Sequence, residues 1–291
     1  MQGSFADQLE DCRIVTFEKC PHPLPNEEDL RWLREELPSR LQRKNVSYYP
    51  ERDRLVGVPP DLAGRARSIL KLHSATVQAF LKASLGSFTE GWRVGTSSFR
   101  PLQERGRPLS AHASNELVHV DAGAYGAMHG DRILRFFTNL NPTADRVWVT
   151  KGDFSQLYAK YGEQAGVTRL RLEEGPLDRL RSATMRAVST VAPAARMLDS
   201  SPYDRAMRRF HNFMKDTPAF QADLETQREL RFAPGSSWAV LTDAVSHACI
   251  EGQFALVDTF VIRLAQCRNR ITAPFYVLGG GGGGVTVRPG G

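Results

Sequence analysis

A chain of 291 residues with 41% apolar and 24% charged residues can bury one sizeable core, and no stretch reaches the roughly 18 to 20 uninterrupted apolar residues that a membrane-spanning helix needs. The formal net charge of +6, from 38 Lys and Arg against 32 Asp and Glu, favours an acidic partner; nucleic acid, an anionic membrane surface and a small acidic substrate satisfy it equally well. Cys12, Cys20, Cys249 and Cys267 form no CxxC pair, and the mixed, acidic start MQGSFADQLEDC is not a secretory leader, so a reducing cytoplasm is expected rather than a disulfide scaffold.

In chain order, residues 27–43 place Leu30, Leu33 and Leu37 at helical spacing, and residues 61–85 do the same with Leu70, Val77, Phe80 and Leu81. The part up to about residue 88 therefore reads as helical. From Trp92 the pattern changes to short β-rich runs, RVGTSSFRP, ELVHVDA, RILRFFTNLNP and DRVWVT, each bounded by Gly, Pro, Asn or Asp. Helical periodicity returns over 153–228, where Tyr203, Met207, Phe210 and Met214 form one stripe. Two closing strands, SWAVLTDAVSHACI and FALVDTFVI, meet at a Glu251-Gly252 turn. Helices around short strands in two separated blocks predict an α+β fold: a double-stranded β-helix, or jelly roll, with flanking helices and a helical insertion. The expected organisation is one domain over 1–278, with its core at 89–278 and the insertion at 153–228. The Gly-rich 279–291 has too little side-chain area to offset its ordering entropy and is expected to be a disordered tail.

Within ELVHVDA, His119 and Asp121 are two apart on an expected strand, so both side chains share a face. A third ligand must come from elsewhere, and His247 is the best placed histidine, on a strand that a jelly roll brings alongside the first. Two imidazoles and one carboxylate on one side of an octahedral Fe(II) leave room for a bidentate 2-oxo acid and dioxygen. The competing reading of HxD alone is a structural histidine beside a turn aspartate. His22, between two prolines, His129 in a Gly-rich loop, and His73 and His112, without strand context, are expected at the surface or in loops.

The segment RILRFFTNLNPTADRVWVT reads as a hairpin turning at 142–145. Its ladder puts Arg135, Asn139, Asn141, Arg146 and Trp148 on one face, opposite a mostly apolar one. Such a face suits a dicarboxylate, and a solvated outer surface equally.

Taken together, SFRP at 98–101, LVHVDA at 117–122, RILRFFTNLNP at 132–142, RVW at 146–148, YDRAMRRFHNFMK at 203–215 and TDAVSHACIEGQFALVDTF at 242–260 resemble the Kdo 3-hydroxylases. These bacterial enzymes hydroxylate carbon 3 of 3-deoxy-D-manno-oct-2-ulosonic acid (Kdo), an acidic sugar of lipopolysaccharide, using Fe(II), 2-oxoglutarate and dioxygen. The resemblance runs from about residue 90 to 262. It implies iron ligation by His119, Asp121 and His247, 2-oxoglutarate contacts from Arg100, Arg135, Arg146 and Trp148, and a place for His211 in the substrate pocket, although its helix position reads equally as core. Related dioxygenases often anchor the far carboxylate with a cation on the strand after the second histidine. Here no Arg or Lys precedes Arg263 there, which leaves Arg100, Arg135 and Arg146 as candidates. The chain departs from the family pattern at Asn212, where Asp is usual, and at Ala244, in a polar position.

The implied partners are a Kdo-bearing lipid A precursor and an anionic membrane surface, with no nucleic acid. The implied location is cytoplasmic, peripheral to the inner membrane. Two other readings stay open: a 2-oxoglutarate dioxygenase for another acidic sugar or peptide, and a non-enzymatic jelly-roll protein binding an anionic partner.

Overall fold

The computed structural model describes residues 3–41, 45–123, 127–168, 172, 184 and 200–280. Two antiparallel sheets face each other. The larger has the order β1-β8-β5-β10-β4-β2-β3 and the smaller β7-β6-β9. Their strands are β1 (Val15–Phe17), β2 (Val46–Tyr49), β3 (Arg54–Val56), β4 (Arg93–Arg100), β5 (Arg132–Asn139), β6 (Arg146–Thr150), β7 (Arg228–Phe232), β8 (Ser237–Leu241), β9 (Ala248–Glu251) and β10 (Ala255–Ile262). Among the described residues, no helix is long and apolar enough to cross a membrane.

The central strands β5 and β10 read as near-continuous runs rather than as alternating ones because both faces are covered. On the outer face Leu134, Phe136, Phe260 and Ile262 pack with Val77, Leu81 and Leu85 of the long helix Pro60–Leu85. On the inner face Phe137, Val240 and Val257 meet Trp148 and Phe232 of the small sheet. A third cluster joins the helices Phe154–Tyr161 and Pro202–Asp216 to Val118, Val120 and Val149, and the stripe Tyr203, Met207, Phe210 and Met214 lies in it as its periodicity predicts. Both helices begin with a capping box, at Asp153 and at Ser201, which satisfies N–H groups that a helix start leaves open.

Four expectations are corrected. The first 88 residues are not wholly helical, since β1, β2 and β3 extend the large sheet at its two edges; each is a run of only three or four residues, too short for a period-2 signal. RILRFFTNLNPTADRVWVT is not a hairpin: β5 pairs with β8 and β10, while β6 pairs with β7 and β9. Asn139 and Asn141 stabilise the crossover instead. Asn141 accepts from the Thr143 and Ala144 amides, and Asn139 donates to the carbonyls of Ala144 and Phe232. SWAVLTDAVSHACI breaks at Thr242–Ala244 and changes sheet, from β8 to β9. His22 and His73 are buried against the outer face of the large sheet rather than exposed; His112 and His129 are exposed. Of the expected helical insertion, residues 169–171, 173–183 and 185–199 lie outside the described residues, as do 281–291 of the expected tail.

Candidate metal centre and anion pocket

Residues 117–121 are extended, with Val118 and Val120 turned into the helical core cluster and His119 and Asp121 turned the other way. The alternation predicted from sequence holds, although the segment pairs at only one bridge, His119 with His247. There the two residues exchange backbone hydrogen bonds, His119 N to His247 O at 3.1 Å and His247 N to His119 O at 2.8 Å, and the Asp121 amide donates to Thr242 O at 2.8 Å. A directly opposed antiparallel pair holds its two side chains side by side. One ligand-type atom from each of His119, Asp121 and His247 therefore falls within 4.8 Å of the other two, all three residues being buried.

The orientation of both rings is set by backbone. The Leu117 carbonyl lies 2.7 Å from His119 Nδ1 and the Val245 carbonyl 3.0 Å from His247 Nδ1. A carbonyl only accepts, so Nδ1 carries the proton and Nε2 keeps its lone pair, as a metal-binding imidazole requires. Burial, together with the neighbouring imidazole, holds His119 well below its ordinary pKa, and burial lowers His247 likewise. Asp121 is subject to opposed influences. Burial pushes its carboxyl up, but the Arg135 guanidinium opposes that and the carboxyl is held well below the usual carboxylate range. Arg135 Nε stands 2.8 Å from Asp121 Oδ2 as an ion pair whose angles fall short of a hydrogen bond. Two neutral imidazoles and an ionised carboxylate are the donor set that suits a divalent transition metal with open positions.

The hairpin's arginine face does not exist as expected, yet its members still converge, because β5 and β6 face each other across the sandwich. Trp148 stacks on His247 with centroids 5.2 Å apart and packs edge-on against Phe137. Arg146 is fully buried beside Glu104, Nη2 to Oε1 at 3.4 Å. Burial and the charges of Arg135 and Arg146 push Arg100 down to about 10 despite the nearby Glu104 carboxylate. Arg100 Nε, Arg146 Nε and Nη1, and Trp148 Nε1 are buried donors without a hydrogen-bond partner. Orphaned guanidinium donors are costly unless an anion completes them. The residues present thus fit both a divalent metal and an acidic cosubstrate.

His211, on the helix Pro202–Asp216, lies edge-on to His119 at 5.1 Å with its Nδ1 2.7 Å from the Val120 carbonyl. Glu104 was missed by sequence reading: it is buried and holds Arg146, Arg107 and Asn115 together. An isolated Glu in a loop gives no periodic signal, and only its partners reveal it.

The sequence matches the profile of the 3-deoxy-D-manno-oct-2-ulosonic acid (Kdo) hydroxylases over residues 1–281. No curated protein matches it. Among solved structures it is similar to the Kdo hydroxylase KdoO, a non-haem Fe(II) α-ketoglutarate-dependent dioxygenase, in complex with α-ketoglutarate and Fe(III). The TM-score is 0.76 at 27% identity, covering 94% of this chain and 87% of that one. The apo form of KdoO gives the same TM-score and coverage at 28% identity, and its cobalt(II) complex the same at 27%. With the profile running through nearly the whole described fold and the KdoO architecture repeated over 94% of its length, this chain belongs to the Kdo hydroxylase family.

Proposed function

We propose that this chain hydroxylates carbon 3 of Kdo in lipopolysaccharide or lipid A precursors, with Fe(II), 2-oxoglutarate and dioxygen, acting as a single dioxygenase domain over residues 1–278. The observation that carries the reading is the buried His119, Asp121 and His247 triangle beside guanidinium donors that lack acceptors. When bound, iron and 2-oxoglutarate supply the oxidising chemistry that transfers one oxygen atom to a carbon and leaves succinate and carbon dioxide.

The chain's own residues bind, orient and exclude water. His119 and His247 present Nε2 because their Nδ1–H groups are committed to backbone carbonyls. Asp121 stays ionised beside Arg135, which takes up one side of the carboxylate. Arg100, Arg135, Arg146 and the Trp148 indole N–H would receive the carboxylates of 2-oxoglutarate, and Glu104 holds the Arg146 fork in place. The stack of Trp148 on His247 and the apolar packing of Phe137 and Trp238 behind it keep that end of the site dry. His211 would border the substrate, since its ring stands edge-on against that of the iron-ligand candidate His119.

The experiment is to incubate the Fe(II)-loaded protein with a Kdo-bearing lipid A precursor and weigh the product. One added oxygen together with equimolar succinate is expected, and succinate without any oxidised acceptor would overturn the substrate assignment. The net charge of +6 supports peripheral association with the cytoplasmic face of the inner membrane. Co-sedimentation with anionic vesicles at low salt, lost at high salt, is expected; a protein wholly unbound at low salt is not peripheral.

A further inference from the structure

The small sheet covers only part of the large one. Trp148 packs on Phe137 of β5 and Trp238 of β8, and beyond Val257, where β10 leaves that contact, the inner face over Thr259, β4 and β2 lines a cavity of about 280 Å³. Its size suits one sugar unit rather than a whole glycolipid. The register shows how the wall is built. Ser98 lies opposite Val257 on one side and Ser47 on the other, and the two serine hydroxyls are 2.9 Å apart. Thr96 and Tyr49 line the next row beside Thr259, which is opposite Arg135. Arg100 and Arg135 stand in the same wall, and the exposed Arg54 stacks on the Tyr49 ring at 5.2 Å. Val257 is the one apolar residue among the lining groups.

A hydroxyl both donates and accepts, so a row of them complements a polyol. 2-Oxoglutarate has no hydroxyl and is matched instead by the guanidinium groups nearer the iron ligands. We propose that the sugar of the acceptor docks along the Ser47, Ser98, Tyr49 and Thr96 row, with β2, next to β4 in the large sheet, acting as a specificity element beside the 2-oxoglutarate arginines. The proposal rests on the reaction proposed above and names where its substrate lies. It also gives β2 a role: it widens the sheet just where a polar wall is needed.

The test uses the full chain loaded with Fe(II) under anaerobic conditions and titrates two ligands separately, a Kdo-bearing lipid A precursor in detergent micelles and 2-oxoglutarate. Tyr49→Phe removes one hydroxyl and keeps the ring beneath Arg54; Ser47→Ala with Ser98→Ala removes a mutually bonded pair together, leaving neither unpaired. Each is expected to weaken the glycolipid about tenfold while 2-oxoglutarate affinity stays within about twofold. Parallel weakening of 2-oxoglutarate, or unchanged glycolipid affinity in both variants, overturns the docking row. The two readings separate cleanly. A wild-type protein that binds the glycolipid through these hydroxyls without oxidising it contradicts the proposed reaction alone, and one that oxidises it while the variants bind normally contradicts the row alone.

Discussion

On the inner face of the large sheet His119, His247 and Asp121 gather beside Arg135, and on the outer face His22 and His73 gather beside Asp258. Both groups are buried and both combine imidazole with carboxylate. They differ in where the ring nitrogens point. In the outer group His73 Nε2 is spent on Asp258 Oδ2 at 2.9 Å, and His22 Nε2 lies 3.4 Å from the Cys20 sulfur, so neither Nε2 is directed at a point shared with a carboxylate and a second imidazole. In the inner group Nδ1 is tied to backbone and Nε2 is directed into shared space. Among the described residues, only the inner three bring their ligand atoms within 4.8 Å of one another. Burial of histidine with aspartate is therefore no mark of a metal site; convergence of the ring nitrogens and the carboxylate on one point decides.

The largest test of that contrast is removal of a ligand. His119→Ala or Asp121→Ala is expected to cost at least about a hundredfold in Fe(II) affinity, read by equilibrium dialysis, and to abolish succinate formation. His73→Ala should retain full iron stoichiometry. It leaves Asp258 buried without its partner, so a loss of about 3 kcal/mol in urea unfolding is expected instead. If His73→Ala lost iron and kept its stability, the roles assigned to the two faces would be reversed.

Next in size is the arginine cluster. Arg146→Met removes a buried charge that shares Glu104, and Arg100→Met removes one crowded by two others. Each should raise the KM for 2-oxoglutarate by about thirtyfold, with the iron content unchanged. Arg146→Met should also lower stability, because buried Glu104 loses a cationic partner; Arg100→Met serves as the cleaner reading.

The smallest effect is a shared pH dependence. His22, His119, His211 and His247 all have folded pKa values lowered, with burial the first cause in each. Well above the ordinary imidazole value of 6.5 both folded and unfolded chains hold these rings neutral, so they contribute no slope. Below it the unfolded chain takes up protons that the folded one refuses, and stability falls as pH falls. Metal-free protein should unfold at lower urea at about pH 5 than at about pH 7.5, and iron, which competes with protons for the inner pair, should steepen the difference by stabilising the fold more at the higher pH. A stability that rises on acidification over that range would mean these rings are charged in the fold.

Much of the inner site was legible in the sequence because its signals are local. Two residues apart on an extended segment is enough to put His119 and Asp121 on one face, and the 3.6-residue stripe through Met207 and Phe210 places His211 on a buried helix. What was not legible depends on partners distant in the chain. The alternation in RILRFFTNLNPTADRVWVT put Arg135 on the face opposite Leu134 and Phe136, and Trp148 on the face opposite Val149, as the fold has them. It could not report that β5 and β6 belong to different sheets, so the shared face became two facing walls. The same limit hid the Ser47 and Ser98 contact and the burial of His73 against Asp258, which joins residues 185 apart in sequence. Periodicity states which way a side chain points from its own strand or helix; only the pairing of strands across the fold decides what it points at.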